Sequence, residues 1–228
     1  EDAPQSERPR RSGSWLWCSY VQSKKKNKGC GVFIMNALAF KYGLEKDICS
    51  EIMAWSQHTL QKPNPFFNNM PPCPYAKKAW IEGKVAIIFK YEENYQTIYS
   101  TISQFDDAFE LVIVVDLAYN KDSDAFHEYL DQLNTAISSG MFIDKDIWLM
   151  GFHPEDEENE HLDGDTFEQI VSDDYAMIFI QRLSKVHNAS QTLKSLGYYE
   201  EYAKEYDVDR IFNRRLELYR RLTNGNET

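Results

Sequence analysis

Apolar positions recur along the middle of the chain in two alternating rhythms. Lys84 to Tyr91 (KVAIIFKY), Leu111 to Leu117 (LVIVVDL) and Ile147 to Phe152 (IWLMGF) are short, nearly continuous apolar runs. Between them, Ile98, Ile102, Phe105 and Phe109, and then Phe126, Leu130, Leu133 and Ile137, fall at steps of four and three. The runs predict strands, and the stepped sets predict one face of a helix. Leu111–Leu117 is rich in β-branched residues, which suits a strand buried on both faces. Ser123 or Asp122 is placed to cap the second helix and Gly140 to end it. Strand, helix, strand, helix, strand implies parallel pairing with right-handed crossovers. The expected class is α/β: a small sheet with a βαβαβ core, covered by helices, with a C-terminal helical extension. A ferredoxin-like α+β sheet is the alternative if antiparallel strands join it.

The flanks follow other patterns. Ile48, Ile52, Trp55 and Leu60 predict an amphipathic helix over about 44–61. Pro63, Pro65, Pro71, Pro72 and Pro74 then mark a loop, since helix interiors do not tolerate proline. Pro74 to Trp80 predicts a short helix with proline at its first position. Residues 155–165 (EDEENEHLDGD) form a dense acidic loop. The rest, from about 166 to 222, is expected to be helical. Tyr175, Phe179, Leu183 and Val186 make one stripe, and Gly197 is a stop. Val208, Ile211, Phe212, Tyr219 and Leu222 belong to a last helix. Residues 1–34 are polar, with a basic cluster from Lys24 to Lys28, and are expected to lie outside the core. That leaves 35–228 as a single α/β domain.

Composition narrows the partners. The 228 residues carry a net charge of −11 and a pI near 5.0. That balance argues against nucleic acid or an anionic membrane, because both need a positive face. Cys18, Cys30, Cys49 and Cys73 contain no C-x-x-C pair and are too sparse for a disulfide scaffold. There is no apolar run long enough to span a bilayer and no signal-peptide pattern at the start, so a cytoplasmic chain is the expectation.

Two short motifs carry most of the candidate chemistry. Cys73 precedes Pro74, which disfavours helical angles before it, so Cys73 is expected to cap the following helix. A thiol there meets unpaired N–H groups and the positive helix end, which favour thiolate, and Lys77 adds charge. Tyr75 and Lys77 are candidate ligand-binding residues beside it. His153 follows the third strand and precedes Pro154. Asp116 lies at the same end of the second strand, and Glu92 and Glu93 follow the first. In a parallel sheet these ends share the edge where α/β folds bind ligands. His153 and Asp116 are therefore candidates for an acid/base pair or for metal ligands. The structural alternatives are a buried thiol under a proline loop and a histidine holding a loop through a backbone hydrogen bond.

Arg182 is a candidate for holding an anionic substrate, with a surface salt bridge as the alternative. His161 is a weaker metal candidate inside the acidic loop. That loop lacks the glycine and glutamate positions of an EF-hand, which points to a solvated charge run. The cofactor is left unknown: a divalent metal is one open class, and no dinucleotide or P-loop fingerprint occurs. Nor is there a G-x-S-x-G elbow or an H-E-x-x-H helix, which weighs against the common hydrolase and zincin classes.

The run Cys73-Pro74-Tyr75-Ala76-Lys77, followed about 80 residues later by Phe152-His153-Pro154, resembles an uncharacterised bacterial domain-of-unknown-function family. That family carries Cys-Pro-Phe-Ala and Phe-His-Pro segments. The resemblance covers about residues 45–190, and the chain departs from the pattern at Tyr75 and in the acidic loop. It implies a shared fold and a shared site, but no reaction. Three functions stand after this reading. The first is a small-molecule enzyme, or a ligand- or metal-binding protein, using Cys73, His153 and Asp116. It requires Cys73 and His153 to meet across one pocket. The second is a non-catalytic interaction or homo-oligomerisation module, using the aromatic C-terminal half with Tyr198, Tyr199, Tyr202, Tyr206 and Tyr219. The third is a fold in which the two motifs only pack.

Overall fold

A computed structural model describes residues 31–142, 145–157, 159–162, 170 and 175–224; for 31–40, Leu222 and Asn224 it describes the backbone only. Of the extension expected over 1–34, residues 1–30, with Lys24–Lys28, Cys18 and Cys30, lie outside the described residues, and 31–34 already belong to a helix. Glu158, Asp163 and Asp165 of the acidic loop also lie outside the described residues.

The elements run α1 (Gly31–Trp55), α2 (Ala76–Ile81), β1 (Val85–Lys90), α3 (Gln96–Gln104), β2 (Leu111–Asp116), α4 (Ser123–Ser138) and β3 (Ile147–Phe152). They continue with α5 (Asn159–Leu162), β4 (Ala176–Arg182), α6 (Leu183–Ser195), α7 (Tyr202–Glu205) and α8 (Val208–Asn224). A π-helical turn, Ser56–Leu60, extends α1, and a 3-10 turn, Pro65–Phe67, sits in the proline loop. No helix among the described residues is long and apolar enough to cross a membrane.

The described strands form a four-stranded sheet in the order β1-β2-β4-β3. β1 and β2 are parallel, while β4 is antiparallel to both β2 and β3. Hence β1, β2 and β3 all point one way, as the alternating pattern implies. The parallel pairing implied by the alternation holds for β1 with β2, while the antiparallel β4 lies between β2 and β3. β4 is also the segment whose Tyr175-Phe179-Leu183 spacing predicts a helix. AMIFIQR is apolar on both sides of the strand, with Ala176, Met177, Ile178 and Ile180 all at 2 % exposure or less. A continuous apolar run matches helical and strand spacing equally well, and burial on both faces selects the strand.

Helices cover both faces, giving an α/β fold of three layers; a ferredoxin-like arrangement gains no support from this order. On one face α3 and α4 bury Ile98, Ile102, Phe126 and Leu133 against Val112, Val114, Ile178 and Ile180. On the other, α1 buries Ile48, Ile52 and Trp55 against Ile113, Val115, Phe152 and Met177. The alternation within each strand therefore fixes which side each residue faces. Asp122 caps α4 by accepting the Ala125 N–H at 2.9 Å. Gly151 is required by close approach: a Cβ there would stand 2.3 Å from Leu130 Cδ1 on α4. Asn134 of α4, 4 % exposed, pairs with both backbone groups of Leu149 at 2.9 and 3.0 Å, and so closes the outer edge of β3.

Candidate functional site at the carboxyl edge of the sheet

The strand register sets a row of side chains across the sheet. Lys90 is opposite Asp116, and Asp116 is opposite Ala176. Phe152 is opposite Met177, so one step further His153 meets the level of Ala176. Phe89, Val115, Phe152 and Met177 face α1. By alternation Lys90, Asp116, Ala176 and His153 face α3 and α4. The carboxyl ends of β1, β2 and β3 thus bring Asp116 and His153 to one edge and one side. They do not touch, since two strand spacings separate them by about 10 Å.

Asp116 has another partner. Lys90 Nζ donates to both of its carboxylate oxygens at 2.9 Å, with Lys90 4 % exposed and Asp116 0 %. Oδ1 also accepts the Ala118 N–H at 3.2 Å, which starts the loop after β2. The expected His153–Asp116 pair is therefore corrected to Lys90–Asp116. The register of the parallel β1–β2 pair puts an amine, not an imidazole, against the carboxylate. A buried pair of this kind costs desolvation and stands only because its geometry is good.

Both ring nitrogens of His153 are occupied. Nε2 lies 2.9 Å from the Lys121 carbonyl, and Nδ1 lies 3.3 Å from the Glu155 N–H. These contacts assign the proton to Nε2 in a neutral ring. The side chain ties the loop after β2 to the loop after β3, and Asn159 secures the latter by donating to the His153 and Pro154 carbonyls.

Tyr119, in the loop after β2, packs beside His153. Its ring centroid is 5.9 Å from His153, 5.0 Å from Phe126 and 5.9 Å from Tyr129. Its hydroxyl is buried and has no hydrogen-bond partner. Burial, then Asp122, Asp116 and Glu128, push its pKa up to about 12. Burial, then Asp116, likewise raises Tyr129 well above the usual phenol. Tyr95, 43 % exposed, stacks at 5.7 Å on Tyr99 and packs at 5.6 Å against Tyr129, so the tyrosines run from solvent to the buried pair. Glu92 stays exposed and accepts from Asn94. Lys90, Tyr119 and Tyr129 were not among the sequence candidates. A lysine closing an apolar run was the one signal for Lys90.

Cys73 lies on the other side of the sheet. Its N–H donates to the Leu60 carbonyl at 3.0 Å, and Leu60 and Trp80 pack into the α1 layer. Helix α2 starts at Ala76, with Tyr75 in the cap position. Cys73 instead opens a turn in which its carbonyl accepts the Ala76 N–H. Burial pushes the Cys73 thiol up, outweighing the N–H groups of Tyr75 and Ala76 that favour thiolate. The expected helix cap and activated thiolate are thus corrected. The layer of strands separates Cys73 from the His153 side chain. Tyr75 and Lys77 point to solvent beside it.

Arg182 ends β4, which runs opposite to its neighbours, so it lies at the far edge, about 20 Å along the strand from the level of Asp116. It donates to the Lys145 carbonyl at 2.7 Å and to Asp107 at 3.3 Å, with its guanidinium 4.6 Å above the Phe105 ring. His161 stacks on Phe66 at 4.2 Å and reaches Glu205 at 2.8 Å. No cluster of three or more His, Cys, Asp or Glu side chains among the described residues is arranged to hold a metal.

The C-terminal tyrosines turn inward. Tyr198 stacks on Phe67 at 4.9 Å and donates its hydroxyl to the Pro72 carbonyl. Tyr202 contacts Phe66 and Phe67, Tyr199 meets Phe212 at 5.3 Å, and Tyr219 stacks on His187 at 4.9 Å. Tyr198 and Tyr202 join the proline loop to the C-terminal part, and these contacts give no support to an exposed partner surface.

The chain matches no protein-family model, no curated protein and no solved structure. The likeness to the unknown-function family therefore rests on its two motifs alone.

Proposed function

We propose that this chain binds a small polar molecule at the carboxyl edge of its sheet, on the α3/α4 side. The observation that carries the reading is the Tyr119 hydroxyl: buried, unpaired, with its ring against His153 and with Asp116 near enough to raise its pKa. Buried polar groups in native proteins are almost always satisfied, so such a group marks a place for a partner. Phenol hydroxyls both donate and accept, and the tyrosines beside it offer flat apolar surface.

The roles follow from the contacts. Asp116 holds the Lys90 amine, and the pair supplies a fixed dipole beneath the ligand. His153 shapes the site by holding two of its loops together. Cys73 has no part in this site, and its motif is read as the turn that seats the proline loop on α1. On the resemblance to the unknown-function family, both motifs would be shared because they build the fold, one at the edge and one over α1. A proton-transfer reaction would need a ligand atom within hydrogen-bond reach of Tyr119 Oη.

The test is a screen of small amines, carboxylates, amides and phenols by thermal shift, against wild type and Tyr119→Phe. Compounds that stabilise wild type and lose that effect in Tyr119→Phe support the reading. Compounds that stabilise both chains equally would contradict it.

A further inference from the structure

We infer that the seam between α6 and α8 is a binding site for a small oxyanion, with Arg215 as its main anchor. Arg215 lies on the inner face of α8 and is 7 % exposed. One terminal nitrogen donates to Ser190 Oγ at 2.8 Å, and the Tyr199 phenol lies near enough to favour the charged form. The Phe212 ring lies 5.2 Å from the guanidinium carbon. The Nε–H is buried and has no acceptor. No carboxylate among the described residues pairs with this guanidinium. It thus differs from its neighbours Arg214 and Lys194, which pair with Asp131 and Asp209. An unopposed buried cation is costly, and arginine keeps its proton.

A second group points the same way. His187 on α6 feels the Arg215 charge, and its Nδ1 is buried without a partner. A neutral ring carrying its proton on Nδ1 makes this nitrogen a donor. Arg215 Nε and His187 Nδ1, beside the Ser190 hydroxyl, are then buried donors at a seam where no described carboxylate pairs with them. A planar guanidinium fork with hydroxyl and imidazole donors suits an oxyanion better than a spherical ion. Tyr199 also lines a surface groove with Lys194, Glu200, Tyr206, Asp207 and Asp209.

The test uses the full chain and inorganic phosphate at constant ionic strength, balanced with sodium chloride. Phosphate binding is read by 31P line width, and melting temperature is followed over the same range. Wild type is expected to broaden the phosphate signal saturably and to gain melting temperature over the same concentrations. Arg215→Lys keeps the charge and removes the fork, and should weaken both effects roughly tenfold. Ser190→Ala, a milder change, should weaken them less. Absence of a saturable response in wild type would overturn the proposal and assign the unpaired groups to water. Equal titrations for wild type and both variants would overturn it as well.

Discussion

The carboxyl edge on the α3/α4 side and the seam of the proline loop with the C-terminal helices are both rich in tyrosine and histidine, yet they use them differently. At the seam the polar tips of Tyr198 and His161 meet partners in their own chain. The Tyr198 hydroxyl donates to Pro72, and His161 meets Glu205. Rings face rings, from Phe66 and Phe67 through Tyr198 to Tyr202. At the edge, one charge pair is fully enclosed and one hydroxyl is left over. Aromatic density by itself therefore signals packing. What separates the two regions is whether the polar atoms are already satisfied.

The largest expected effect lies at the edge. Lys90→Met or Asp116→Leu alone strands a buried charge and should cost about 3–5 kcal/mol in chemical denaturation. The double variant Lys90→Met/Asp116→Leu should recover much of that loss. A double variant as unstable as the sum of the singles would show that the pair is not a unit. At the seam, Phe67→Ala removes a buried ring that holds the loop to Tyr198. It should cost about 3–5 kcal/mol and leave binding at the edge intact. If it abolished edge binding instead, the two regions would not be independent.

Smaller changes sharpen the contrast. His153→Ala cuts two backbone contacts and should cost about 1–3 kcal/mol while speeding hydrogen exchange in the loops after β2 and β3. A histidine acting only as a ligand contact would leave exchange unchanged. Cys73 should react more slowly with iodoacetamide at neutral pH than in the unfolded chain, read site by site by mass spectrometry, because burial disfavours its thiolate. The smallest effect is a pH dependence. Burial and then Arg215 lower the His187 pKa. The unfolded chain then binds more protons than the folded one below the ordinary histidine range, near pH 6.5. Stability from this group is present above that range and is lost as pH falls through it. His187→Gln should flatten that part of the profile.

Much of the fold was legible. β1, β2 and β3 stand within one or two residues of their apolar runs, and α4 lies where steps of three and four place it. α3 carries Ile98 and Ile102 but ends at Gln104, so Phe105 and Phe109 pack from the loop after it. β4 was not legible, because an unbroken apolar run fits both periods and only burial on two faces decides. The site was half legible. Asp116 and His153 could be placed at one edge from strand direction. Their partners could not, since Lys90 meets Asp116 through a register that no local pattern encodes. Cys73 was misplaced for a local reason: the turn through Pro74 and Tyr75 delays the helix to Ala76, and the loop lies over α1, opposite His153.

The most direct test is amide chemical-shift mapping on the 15N-labelled full chain, using the compounds that stabilise it. Shifts should concentrate on 91–95, 117–122 and 153–155 and leave the turn at Cys73 still. Shifts centred on Cys73, Pro72 and Tyr198 instead would contradict it.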